Sequence, residues 1–173
     1  MKALSFWKAV TMDRADLLER VLTLLTENGI RFCVIGGQAV NAYVEPLVSL
    51  DLDLAIAVEQ LVQVRKLLEQ IFTVEEFPHS LNISTPDSDL RIQIQTDPRY
   101  SGFVERATPR EILGLQLPVA SLEDVLQGKI WAASNPKRRP TKRRKDLLDI
   151  QRILESRPDL EPQVPAEIRS KIG

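Results

Sequence analysis

Apolar positions near the start of the chain recur with a helical period. In DRADLLERVLTLLTENGI, Leu17, Leu18, Val21, Leu24 and Leu25 share one face, Asp13 is placed to cap the helix start and Asn28-Gly29 supplies a stop. The period then shortens. RFCVI is a β-branched and aromatic run that meets Gly36-Gly37, after which QAVNAYV continues as a short helix over 38–44. A strand follows at about 50–58, opening in VSLDLDLAI (48–56), then a helix in EQLVQVRKLLEQI with Leu61, Val64, Leu67, Leu68 and Ile71 on one side. FTVEE, LNIST and DLRIQIQ read as short strands, the last alternating Leu90, Ile92 and Ile94 with Arg91, Gln93 and Gln95. EILGLQLPVAS adds one or two more, broken by Gly114 and Pro118. SLEDVLQGKIWAAS is a helix with Ser121 as N-cap and Asp124 three positions on. After the loop NPKRRPTKRR, KDLLDIQRILES carries Leu147, Leu148, Ile150, Ile153 and Leu154 on a broad apolar face. A proline-rich tail from Pro158 has little period until AEIRSKI.

This order predicts an α/β fold: a mixed, twisted sheet of about four to six strands flanked by helices, ending in a C-terminal helical part. The expected organisation is one structural unit, with an α/β core over 1–120, helices packed on it over 121–157 and a tail over 158–173. No internal repeat is visible.

One strand breaks the pattern. In VSLDLDLAI, Asp51 and Asp53 stand two positions apart, so both carboxylates project to one face while Leu52 and Leu54 project to the other. Like charges side by side repel and are costly to bury, so the pair requires solvent, a cation or a basic partner. Gly36-Gly37 closes the preceding strand, where bare backbone amides at a helix start can approach a phosphate. The helix and loop after Gly37 return the aspartate strand beside it.

Composition narrows the chemistry. At 173 residues and 43% apolar content the chain can bury a single core, and 23 Lys+Arg against 24 Asp+Glu confine any charge-driven binding to local patches. One cysteine, Cys33, excludes an internal disulfide, and with a single histidine, His79, there is no zinc set. Cys33 is expected to fill core and His79 to lie on the surface. The N-terminal MKALSFWKAV lacks the pattern of a cleaved leader, and the longest apolar stretch, 32–44, is too short to span a bilayer, so a cytoplasmic protein without a membrane partner is expected.

Ile35-Gly36-Gly37 followed by Asp51-Leu52-Asp53-Leu54 resembles the signature of the nucleotidyltransferase (DNA polymerase β-like) superfamily: hydrophobic-Gly-Gly/Ser, then Asp-hydrophobic-Asp. GGQAV with LDLDLAI is similar to the small prokaryotic members, including the toxins of abortive-infection and toxin–antitoxin systems. LPVASLEDVLQGKIWAA and RRKDLLDIQRIL look like the family's two C-terminal helices, with Lys129 on the first and Lys145-Asp146 on the second, so that the resemblance covers most of 15–156. It implies that Gly36 and Gly37 hold a triphosphate, that Asp51 and Asp53 are catalytic and bind Mg²⁺, and that a nucleoside monophosphate passes from an NTP to RNA, protein or a small molecule. Ser49, Lys129 and Lys145 are the further candidates for nucleotide contact.

The chain departs from the family in two places. The third carboxylate belongs on the strand LRIQIQT, where Gln93 or Gln95 stands; Asp89 and Asp97 at its ends substitute only in a different register. An amide neither supplies charge nor serves readily as a general base. The usual basic residue before the first aspartate is also absent, which leaves Ser49 as the nearest polar group.

KRRPTKRRK, 137–145, holds seven basic residues in nine. Read as a loop it is either a solvated segment or a contact for a triphosphate or an RNA backbone; cations at the start of a helix oppose its dipole unless an anion is near. Trp131, on the helix before it, is expected to pack. Two readings follow: an Mg²⁺-dependent nucleotidyltransferase, or a catalytically impaired relative that binds nucleotide, RNA or an antitoxin-type partner.

Overall fold

A computed structural model of the chain, which describes Ser5 and residues 16–172, places the elements in the order α1 (Leu17–Glu27), β1 (Phe32–Ile35), α2 (Gly36–Asn41), β2 (Asp51–Ile56), α3 (Leu61–Glu69), β3 (Thr73–Phe77), β4 (Ser80–Ser84), β5 (Arg91–Gln95), α4 (Phe103–Arg106), β6 (Thr108–Ile112), β7 (Leu115–Val119), α5 (Leu122–Ser134), α6 (Pro140–Ser156) and α7 (Ala166–Arg169). Asp13, expected to cap the first helix, lies outside the described residues, as does most of MKALSFWKAV. The α1 helix ends as its sequence predicts: the Asn28 N–H donates to the Leu24 carbonyl, and Gly29 takes φ +64°.

The seven strands form one mixed sheet in the order β3-β4-β5-β2-β1-β7-β6, with β2 antiparallel to β1 and parallel to β5, and β1 parallel to β7. The count exceeds the expected four to six because TPREI forms a strand despite its proline and two charges. It lies at the sheet edge with four of its five residues exposed, where no apolar alternation is required. Pro118 does not break its strand either: it sits opposite Pro109, a pairing open to two prolines because directly opposed residues need not bond each other.

Register sorts the side chains into two faces. Leu81, Ile94, Leu54 and Val34 are successive partners across four strands, as are Ile83, Ile92 and Leu52 in the next row, and all seven are at most 3% exposed. The neighbouring row on the opposite face is Asn82, Gln93, Asp53 and Ile35. Burial of the first face supplies cohesion, at roughly 25 cal/mol per Å² of apolar surface removed from water. The second face is left to carry polar groups.

Helices α5 and α6 pack on each other. Ser121 caps α5 by accepting from the Asp124 backbone N–H at 3.1 Å. In the tail from Pro158, Leu160, Val164 and Ile168 are buried, and the Gln163 amide donates to the Glu123 carbonyl at 2.8 Å. Among the described residues no helix is long and apolar enough to cross a membrane.

Candidate functional site

The polar face opens into a cleft floored by the ends of β1, β2 and β5 and walled by α5 and α6. Gly36 is the junction between β1 and the floor. The residue directly follows Ile35, whose register partner is Asp53, and it starts α2 at φ +69°, so the helix begins at the glycine pair rather than after it. A side chain at Gly36 would collide with the Asp53 carboxylate, whose Cβ would lie 3.1 Å from the added carbon. At Gly37 an added carbon would lie 3.1 Å from the Ser49 hydroxyl. Both glycines therefore clear space for β2 and its preceding loop, beyond permitting a turn.

That loop is pinned. The Gln38 amide donates to the Ser49 carbonyl at 2.9 Å, and the Asn41 side chain both donates to and accepts from the Leu47 backbone at 2.6 and 3.0 Å. From α6, Arg152 donates to Asn41 Oδ1 and to the Glu45 carbonyl. Helix α6 thus helps position the approach to the aspartate strand.

Asp51 and Asp53 both line the cleft with Ser49, Gly36 and Gly37. Asp53 is the deeper: its Oδ1 is shielded from solvent and has no hydrogen-bond partner. Burial pushes the Asp53 carboxyl up from its ordinary 3.8, and Asp51 beside it adds to that, while Lys129, Lys142 and Arg138 pull the other way. Gln93 is the direct partner of Asp53 on β5, whereas Gln95 lies beside Ala55. Of the two glutamines left open by the sequence, Gln93 therefore stands at the position next to the carboxylates, with Arg91 beside Asp51. Asp89 and Asp97 do not line the cleft. Asp97 instead pairs with Arg99, whose hydrogen bonds hold its carboxyl below the ordinary range.

The opposite wall is cationic and mostly paired. Lys129 lies 2.9 Å from Asp149 and 3.5 Å from Asp146, both aspartates almost fully buried. Arg138 grips Asp146 with two hydrogen bonds of 2.8 and 3.0 Å, and Arg152 reaches Asp149 at 2.8 Å. Burial alone would lower the Lys129 pKa, but Asp149 and Asp146 outweigh it and raise it, so the amine stays charged beneath the cleft.

The basic run is not one loop. Pro140, whose fixed φ and missing N–H suit a first helical position, starts α6 there, so 140–145 are helical. Its cations divide by task. Arg138 holds Asp146, Arg143 donates to the Ala133 and Asn135 carbonyls, and Lys142 and Lys145, three apart on α6, line the cleft. Lys137, Arg139 and Arg144 are exposed.

Sequence reasoning took Arg138 and Lys142 only as members of the basic run 137–145, and missed that Asp146 and Asp149 are core charges. The signal was available: Asp146, Asp149, Ile150 and Ile153 fall on one helical face, two acids where apolar residues belong. Cys33 is buried, its thiol pushed up to about 12 chiefly by that burial, and His79 is exposed. Trp131 packs in an aromatic cluster with Tyr100 and Phe103 and lies under the Arg99 guanidinium.

Among the described residues no three His, Cys, Asp or Glu side chains gather to hold a metal. The cleft offers two carboxylates and an adjacent amide, a hard-oxygen set that suits a cation such as Mg²⁺, which completes its shell with water and phosphate. The unpartnered Asp53 Oδ1 is the feature such a cation fits.

A sequence model of the family described as "Nucleotidyl transferase AbiEii toxin, Type IV TA system" matches residues 23–171. Among solved structures, the antibiotic-resistance factor ANT(2'')-Ia in solution is similar over 90% of each chain, at TM-score 0.62 and 17% identity. The lincosamide antibiotic adenylyltransferase LnuA is similar over 79% of this chain and 95% of its own, at 0.52 and 14%. A nucleotidyltransferase-like protein from Paracoccidioides brasiliensis is similar over 96% and 93%, at 0.51 and 16%. At these identities it is the fold that is shared. No curated protein matches the chain.

Proposed function

We propose, for a chain that belongs to the nucleotidyl transferase AbiEii toxin family, that the cleft transfers a nucleoside monophosphate from an NTP to an acceptor hydroxyl. The observation that carries this reading is the junction at Gly36, where bare backbone in a left-handed turn meets a half-buried carboxylate with one shielded, unpartnered oxygen. A triphosphate laid along Gly36 and Gly37 would run from Asp51 and Asp53 toward Lys129, Lys142 and Lys145, with Ser49 at the edge. Asp51 and Asp53, with Gln93 beside them, would hold Mg²⁺. When bound, Mg²⁺ supplies charge neutralisation at the transferring phosphorus and alignment of nucleophile and leaving group.

The chain's own residues prepare this chemistry. Lys129 opposes the burial effect at Asp53 and so favours the ionised carboxylate that a ligand must be. Asp146 and Asp149 hold Lys129 charged and in place. In the transfer, the acceptor oxygen bonds to the α-phosphorus, the bond to the bridging oxygen breaks and pyrophosphate leaves along the basic wall; the acceptor proton passes to solvent. The family description supports a type IV toxin–antitoxin setting, and the need for NTP supports action in the cytoplasm. A solved relative carries adenylyl-2''-tobramycin and another lincomycin, so small hydroxylated molecules join RNA and protein as acceptor classes to be tested.

Gln93 in the register position beside Asp53 favours a second reading, a nucleotide-binding module without turnover. The test is incubation of purified protein with Mg²⁺, each α-labelled NTP, and in turn cell RNA, protein extract and aminoglycoside. Label transfer that disappears in Asp53→Asn supports the enzyme. Nucleotide binding without label on any acceptor, combined with gain of transfer in Gln93→Asp, supports the impaired relative.

A further inference from the structure

One amide in the cleft has a fixed direction, and the phosphate chemistry does not use it. Gln95 follows Gln93 by two residues on β5, so it projects to the same face about 7 Å farther along the strand, and it too lines the cleft. Its Oε1 accepts from the Asp97 backbone N–H at 3.2 Å. A backbone N–H can only donate, so this amide cannot be turned end for end: the oxygen belongs to the chain and the NH₂ is left over. Gln95 makes no other hydrogen bond among the described residues.

The turn that holds the oxygen is itself held. Asp97 Oδ1 accepts from the Arg99 backbone N–H at 2.9 Å, its Oδ2 takes two bonds from the Arg99 guanidinium, and that guanidinium lies over the Trp131 ring. The same turn, Pro98–Tyr100, delivers Tyr100 to the cleft, where it meets Phe103 edge to face at 5.0 Å. Gly128 on α5 lies against both rings, an added carbon there falling 3.2 Å from Tyr100. Asp124, the carboxylate that α5 adds to the lining, is occupied by two hydrogen bonds from Arg106. Beyond the aspartates the cleft thus offers aromatic walls, 8% and 2% exposed at Tyr100 and Phe103, and one pre-set donor, a lining that suits a planar heterocycle.

We propose that Gln95 reads the nucleobase of a bound NTP, its NH₂ donating to a keto oxygen, so that guanine is taken over adenine and uracil over cytosine. With the triphosphate along Gly36 and Gly37 on the β1 side of Asp53, the nucleoside leaves the α-phosphorus on the β5 side, toward Gln95. The edge of a base farthest from its ribose carries the distinguishing group: an oxygen in guanine and uracil, an amino group in adenine and cytosine. A donor that cannot turn meets the first and is left unpaired by the second. The inference rests on the reading of the cleft as an NTP site and deepens it, naming the bases taken and the residue that selects them.

The test is calorimetry of the four NTPs, with Mg²⁺ and no acceptor, on the full chain and two variants. The wild type should bind GTP about ten-fold more tightly than ATP, and UTP than CTP. Gln95→Glu keeps an oxygen for the Asp97 N–H and puts a second oxygen where the NH₂ stood, so the order within each pair should invert, even as the added charge weakens all four. Gln95→Leu should bind the members of each pair alike. Inorganic triphosphate, which has no base, reports whether each variant keeps its phosphate site; should Gln95→Leu lose it, the inversion in Gln95→Glu carries the test alone. Absence of the keto preference in both pairs, or an order that Gln95→Glu leaves unchanged, would overturn the inference and leave the phosphate site standing. A wild type that binds no NTP would overturn the reading of the cleft as an NTP site, and this inference with it.

Discussion

Asp53, half-buried with one oxygen shielded from solvent, and Asp146, almost fully buried, line one cleft, yet they are left in opposite states. Asp146 meets Arg138 through two hydrogen bonds and has Lys129 3.5 Å away. Asp53 keeps one oxygen with no partner and a carboxyl pushed above its ordinary range by burial. A buried carboxylate whose cations are already in place serves architecture; one whose oxygen is left open is available to a ligand. The helical wall is therefore the finished half of the cleft, and the sheet floor is the half that a substrate completes.

The sharpest break of this comparison is Asp53→Asn. Label transfer should fall by about 10³-fold, while the melting temperature holds or rises because an uncompensated buried charge has been removed. A parallel fall in melting temperature would place Asp53 with the architectural acids. The converse variant, Asp149→Ala, leaves Lys129 and Arg152 without a buried partner and should cost about 3–5 kcal/mol in urea unfolding. A loss below about 1 kcal/mol would mean that solvent reaches this network.

Gly36→Ala forces a side chain into the left-handed region against Asp53, which should cost about 1–2 kcal/mol of stability and most NTP affinity, measured by calorimetry. The pH dependence sharpens the contrast further. Asp53 binds its proton more tightly folded than unfolded, so its ionisation destabilises the fold: stability falls as pH rises from near 3.8 through the raised value. Urea midpoints across that window should fall in the wild type relative to Asp53→Asn, and Mn²⁺ affinity should rise over the same range. The smallest effect belongs to Lys145→Ala, a several-fold rise in KM for NTP that flattens at high salt, with Arg144→Ala as the silent control.

The sequence made the site's floor legible because its signals are local: a glycine pair ending an apolar run, and acids two apart in another. The alternation of LRIQIQT likewise marked the wet side of β5, although only the register, with Gln93 beside Asp53, separated it from Gln95. TPREI was not legible, because an exposed edge strand has no core face to impose a pattern. The ion network was hidden for a different reason: Lys129, Arg138, Asp149 and Arg152 come together only when α5 and α6 pack, and the basic run reads as a uniform patch until Pro140 divides it.

The junction at Gly36 also has a meaning for divergence within the family. No side chain fits there while residue 53 carries a carboxylate, so the two positions can change only together or in a fixed sequence, with the acid shortened or lost first. A relative with alanine or a larger residue aligned to Gly36 should therefore already have surrendered the acid aligned to Asp53. One position in a newly read sequence then forecasts whether its floor can still take a cation.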